Sequence, residues 1–315
     1  MGLYTVAVLA QLERQLGKPV GRCFDLVAGT SVGGLVALSV AAEIPMREIQ
    51  EAFEKYGPAI FSGRPAPKTN IGALLDIARF AFRPKYSGKG LRRALNEMLQ
   101  PPGQKLRDLR HPLLIPLVNH TKGGPEMIKT PHHVDFCSDA ALSLVDVCMA
   151  ACAAPTYFPL AEIGDALFVD GALYANSPDA LALYETEYVF KHDIAQISML
   201  SVGTTTSRFS LSHDHGRNLG LFGWAKGQRL MNAVVASQQQ SVSYMMRHKL
   251  KDRYLRLDSH QSKEQERHLA LDVATEAARK TLRALASATT QAAADDPILT
   301  DILGHTAAAT RFFDS

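Results

Sequence analysis

The segment Gly29-Thr30-Ser31-Val32-Gly33 constrains this chain more than any other part of it. It has the form G-x-S-x-G, with a short apolar run at 23–28 before it and an apolar stretch of small residues at 34–42 after it. A strand that enters a helix through such a turn makes a nucleophile elbow. The turn at the serine is tight and strained, so Gly29 and Gly33 are needed for strand and helix to approach each other. The hydroxyl of Ser31 then projects above the sheet. The Val32 N–H points into the same space at a helix N-terminus, where free N–H groups and the positive dipole end stabilise a developing oxyanion. The plainer alternative is a glycine-rich turn that only packs a helix on a strand.

The rest of the chain alternates helical and extended patterns. Val6, Leu9, Ala10, Leu12 and Leu16 recur at helical spacing, and further helices are expected at 47–56, 91–99, 142–153, 177–187, 227–248 and 264–286. Strands are expected at 23–28, 113–118, 126–129, 166–169, 197–202 and 254–257. Such alternation predicts an α/β fold with a mostly parallel central sheet covered on both faces. With 315 residues, 46% hydrophobic and 21% charged, the chain has the composition of a globular protein and not of a disordered or fibrous one. No repeat or linker divides it, so a single domain over 1–315 is expected, with a core at about 2–285 and a helical tail at 286–315.

A serine needs a base. Asp170 stands at the end of an expected strand, in Phe168-Val169-Asp170-Gly171-Ala172, and strand carboxyl ends are where sites form in open α/β sheets. Gly171 and Ala172 would hold the loop that carries it. The bland reading is an Asp that caps the following turn. The competing chemistry is a Ser-Asp-His triad, which chain order permits because seven histidines follow Asp170. Of these, His213 and His215 are the candidates with a loop signal. The four cysteines, Cys23, Cys137, Cys148 and Cys152, have neither C-x-x-C nor zinc-site spacing. They read as small buried thiols in a reducing cytosol, and no metal or resident cofactor is expected.

Taken together, the G-T-S-V-G-G stretch, the D-G-A stretch and Ala153-Ala154-Pro155-Thr156-Tyr157-Phe158-Pro159 resemble the patatin-like phospholipases. Lys85-Tyr86-Ser87-Gly88-Lys89, Leu200-Ser201-Val202-Gly203-Thr204 and Tyr254-Leu255-Arg256-Leu257-Asp258 extend the resemblance over about 2–285. It implies a three-layer α/β/α fold and a Ser-Asp dyad, with Ser31 the nucleophile and Asp170 the base in hydrolysis of phospholipid acyl esters. The family's D-G-G-G-x-R-G oxyanion segment has its counterpart only at Gly2, since the chain opens Met1-Gly2-Leu3-Tyr4. Either this start is internal to a longer gene product or the chain is a variant without the loop. On both readings Val32 N–H and its helix remain as donors. Loss of one such donor costs ~10²–10³ in rate, so weak or absent turnover is expected.

Within the family, Tyr56-Gly57-Pro58-Ala59-Ile60-Phe61 and Leu144-Val145-Asp146-Val147-Cys148 resemble the bacterial cyclic-nucleotide-activated phospholipases of anti-phage signalling. That resemblance implies a cyclic di- or trinucleotide activator, self-association into an active homo-oligomer, and a cytoplasmic protein peripheral to the inner membrane when active. A catalytically inert sensing or scaffold module with the same fold is the alternative. The segment 77–96 carries Arg79, Arg83, Lys85, Lys89, Arg92 and Arg93 with Phe80 and Phe82 and no acidic residue, either a solvated face or a contact for anionic headgroups. The segment 219–224 is a second apolar candidate contact or core. A net charge of +3 and the lack of any nucleic-acid motif argue against a nucleic-acid polymer as partner. No apolar run is long enough for a transmembrane helix, and Met1 is not followed by a signal-peptide or myristoylation pattern.

Overall fold

The structure, a computed structural model, describes residues 1–61, 83–205, 219–220, 223–224, 229–266, 269 and 272–313. In chain order its elements are α1 (Gly2–Leu16), β1 (Val27–Ala28), α2 (Val32–Ala41), α3 (Met46–Ile60), α4 (Lys89–Met98), β2 (Leu113–Asn119), β3 (Gly124–Lys129), α5 (Leu144–Ala151), β4 (Ala161–Ile163), β5 (Ala166–Asp170), α6 (Ala172–Ala175), α7 (Asp179–Tyr184), β6 (Met199–Val202), α8 (Arg229–Leu250), β7 (Tyr254–Leu257), α9 (Glu276–Ala292) and α10 (Pro297–Gly304). The α/β class is as expected.

The sheet corrects one expectation. β1 and β2 are parallel, and so are β6 and β7, but β2–β3, β2–β5 and β4–β5 are antiparallel. The central sheet is therefore mixed. The reason is connection length: β2 meets β3 through a tight turn closed by Gly123 N–H on the Asn119 carbonyl, and β4 meets β5 across Gly164 at φ 58°. A short turn can join only antiparallel neighbours, whereas a parallel pair needs a crossover. β2 is the central strand. Leu113, Ile115 and Leu117 enter one apolar cluster with α2, α4 and α5, while Leu114, on the other face, is also fully buried. A strand covered on both faces reads as a continuous apolar run.

Several boundaries move. Of the strand expected at 23–28, only Val27–Ala28 pairs, and Val20–Cys23 is a 3₁₀ turn. The helix expected at 177–187 becomes α7 followed by a π-helical turn, Glu185–Val189. The helix expected at 264–286 is divided: Lys263–Glu266 is a short helix of its own, and α9 starts at Glu276, where Thr275 caps it by accepting the Ala278 N–H, and runs on to Ala292. Position 285 is thus no boundary: Ala286, Ala293 and Leu299 share a core with Leu3, Tyr4 and Leu12 of α1. Trp224 is about one-third exposed, so the described part of 219–224 is not core. Arg79, Phe80, Phe82, His213 and His215 lie outside the described residues.

Candidate active site

Ser31 joins β1 to α2 with φ 57° and ψ −131°, a backbone conformation that costs a non-glycine residue energy and persists only where its surroundings impose it. Those surroundings are specific. The Gly29 N–H donates to the Leu114 carbonyl at 3.2 Å, which seats the turn on β2. A Cβ on Gly29 would lie 2.1 Å from the Gly33 carbonyl oxygen, and one on Gly34 would lie 3.1 Å from the Ala151 Cβ. Gly33 itself has open space around its Cβ position, so the close approach expected of it falls to Gly29 and Gly34. The first turn of α2 is closed by Gly33 and Gly34 N–H groups on the Thr30 and Ser31 carbonyls at 2.8 and 2.9 Å.

Serine at a helix N-cap usually accepts a bond from its own helix. Ser31 makes no such capping bond. Its hydroxyl is instead near enough to the Asp170 carboxylate to favour the ionised form of that group. Asp170 ends β5 opposite Leu117, with its N–H on the Ala153 carbonyl at 3.1 Å, and is 2% exposed. Ala172 N–H donates to Asp170 Oδ1 at 2.9 Å. Between them Gly171 passes so close to β2 that a Cβ would lie 2.1 Å from the Pro116 carbonyl oxygen. Burial pushes the Asp170 carboxyl up to about 6, against the opposing bonds from Ser31 and the Ala172 N–H. A carboxylate so placed titrates near the range where a general base works. Cys152, beside Asp170, is pushed up to about 12, by burial first and then by that carboxylate, and stays a neutral thiol.

Gly2 lies at the same place. A Cβ there would be 2.5 Å from Val32 Cγ2 and 2.8 Å from Phe53 Cε1, so the start of α1 abuts the elbow. From Ser31 opens an apolar pocket of about 100 Å³, walled by Phe53, Tyr56 and Ile60 of α3, Leu91 and Met98 of α4, and Phe158. Its apolar lining suits a flexible apolar chain. Among the described residues, no histidine is among the hydrogen-bonding partners of Asp170. His111 pairs with Glu43, His132 with Glu185 and His305 with Asp25. No group of His, Cys, Asp and Glu able to hold a metal is found among the described residues, and no helix there is long and apolar enough to cross a membrane.

No motif assigns a role to Thr30 or Gln238, whose side chains bond to α6 and Asn176, or to the α3 face that walls the pocket. Phe53, Tyr56 and Ile60 recur at helical spacing and carried that signal.

The family model described as patatin-like phospholipase matches residues 1–183. The chain is 36% identical over 314 residues to a cGAMP-activated phospholipase of Pseudomonas aeruginosa, covering 99% of this chain and 91% of that protein. It is 32% identical over 296 residues to a cGAMP-activated phospholipase of Vibrio cholerae, covering 87% and 82%. A cUMP-AMP-activated phospholipase of Escherichia coli is 27% identical over 207 residues, 64% of this chain and 60% of that one.

Proposed function

Because the chain belongs to the patatin-like phospholipase family, we propose that it cleaves acyl esters of membrane phospholipids with a Ser31–Asp170 dyad, and that a cyclic nucleotide switches it on. The observation that carries the dyad is the pairing of a buried carboxylate, with no cationic partner in its hydrogen bonds, to a serine held in a strained turn at the mouth of an apolar pocket.

In this reading the acyl chain occupies the pocket between α3 and α4. Ser31 Oγ attacks the ester carbonyl carbon as its proton passes to Asp170. The Val32 N–H and the positive end of α2 receive the oxyanion. The intermediate collapses, the C–O bond to the lysolipid breaks, and the protonated Asp170 returns its proton to the leaving alkoxide. A water then attacks the acyl-enzyme, Asp170 again takes a proton, and the fatty acid departs with Ser31 regenerated. Desolvation of Asp170 makes this possible, since an exposed carboxylate is too weak a base.

The regulatory part rests on the names of the relatives, which are activated by cGAMP or cUMP-AMP. In the same proposal the enzyme is cytoplasmic, meets the inner membrane when active and self-associates in response to the nucleotide as part of anti-phage defence. A fluorophosphonate probe tests the dyad. Labelling of the intact chain that disappears in Ser31→Ala supports it, and labelling that persists sinks it. Calorimetry against a panel that includes cGAMP and cUMP-AMP tests the activator, and no heat with any member removes that layer alone.

A further inference from the structure

The turn that follows the base is held from two sides by side chains outside it. α6 is one turn long, made by the Tyr174 and Ala175 N–H groups on the Gly171 carbonyl. A single turn has too few internal bonds to hold itself in place. Its first N–H, that of Ala172, is the group that donates to Asp170 Oδ1. On one side the buried Thr30 hydroxyl donates to the Ala175 carbonyl at 2.6 Å. On the other, Gln238 of α8 uses both ends of its amide: Nε2 donates to the Leu173 carbonyl at 2.7 Å and Oε1 accepts the Asn176 N–H at 3.3 Å. Thr30 precedes the nucleophile directly, so one hydroxyl ties the Ser31 turn to the Asp170 turn.

We infer that Thr30 and Gln238 are positioning residues for the dyad, holding α6 and, through its first N–H, the Asp170 carboxylate in register with Ser31. The inference rests on the dyad reading above. Neither side chain touches the reacting atoms. They matter because a hydroxyl–carboxylate pair has no imidazole to bridge a gap, and a misplacement of ~1 Å can cost about a hundredfold in rate. The arrangement also sets a titration. The Ala172 N–H favours the ionised carboxylate, so a loosened α6 raises the pH at which Asp170 ionises. Among the described residues, the other groups that interact with Asp170 are the Ser31 hydroxyl and the Cys152 thiol, which is neutral over the range concerned.

The test uses the full chain with p-nitrophenyl butyrate as probe ester, and reads kcat, KM, the pH–rate profile and the melting temperature. Thr30→Val keeps shape without the hydroxyl, Thr30→Ser keeps the hydroxyl, and Gln238→Met keeps length without either bond. Thr30→Val and Gln238→Met are expected to lower kcat about tenfold to a hundredfold, to leave KM within about twofold, and to move the acid limb of the profile to higher pH. Thr30→Ser is expected to restore both readouts. The double variant is expected to lose little beyond the worse single, since both act on one turn. Unchanged kcat and acid limb in both variants, with Ser31→Ala inactive, overturns the inference and leaves the dyad standing. Loss of rate with an unmoved acid limb and no rescue by serine also overturns it, as damage to the fold. Wild-type turnover in Ser31→Ala removes the dyad and this inference with it.

Discussion

Two buried carboxylates, Asp170 and Glu185, have opposite fates. Asp170 stands opposite Leu117 and has a hydroxyl and one N–H for company. Glu185, in the π turn after α7, bonds to Lys129, whose strand position is opposite Leu114. Lys129 Nζ lies 2.6 Å from one Glu185 oxygen and His132 Nε2 lies 2.9 Å from the other, with His132 Nδ1 on Thr130 Oγ1 at 2.8 Å. Burial raises the pKa of both groups. At Asp170 it prevails, and at Glu185 the bonds from His132 and Lys129 outweigh it, so that carboxyl sits below its ordinary value. The contrast separates a reactive carboxylate from a structural one. The first is desolvated with neutral partners and its proton is available to chemistry. The second is desolvated with a lysine and a histidine as partners and serves as a clamp between the end of β3 and the segment after α7.

The contrast can be broken most sharply at Asp170. Asp170→Asn keeps the shape and removes the base, and turnover should fall by at least ~10³-fold while the melting curve stays cooperative. Retention of more than a tenth of the rate would place the base elsewhere. At the clamp the expected loss is in stability: Glu185→Ala leaves buried Lys129 uncompensated and should cost about 3–5 kcal/mol in urea unfolding. Ser31 labelling per folded molecule should persist at low temperature, and its disappearance there would mean that Glu185 serves the chemistry too.

A third outcome runs against intuition. The folded-state pKa of Asp170 lies above its unfolded value of 3.8. The native state therefore holds the proton more tightly, and stability is lost as pH rises through about 6. Asp170→Asn should then be more stable than the wild type at pH 7.5, by about 1–3 kcal/mol, and of nearly equal stability at pH 3.5. Equal unfolding free energies at both pH values would show that the carboxylate is not desolvated. The smallest effect is in the rate profile. Asp170 must be ionised to accept the proton, so kcat/KM should decline below about pH 6, by roughly tenfold per unit. An acid limb near the ordinary value for aspartate would erase the difference from an exposed carboxylate.

Much of the site was legible in the chain because its constraints are local. Gly29 and Gly171 mark places where a Cβ would strike a backbone carbonyl at 2.1 Å, and each stands next to or two residues from a reactive side chain. The strand directions were less legible. The turns at Gly123 and Gly164 are short enough to force antiparallel neighbours, but they sit in a sequence whose helices suggested crossovers. Thr30 and Gln238 could not be read as partners at all, since Gln238 bonds to Leu173 and Asn176 from more than sixty residues away and no periodicity links them.

The chain on its own determined which turn would be strained, which serine would sit in it and which carboxylate would end a strand, because backbone sterics act between neighbours. Only the tertiary structure decided that Asp170 would lose its water while Glu185 gained Lys129 and His132 as partners. Desolvation and charge pairing are sums over residues distant in sequence, and no local pattern encodes them.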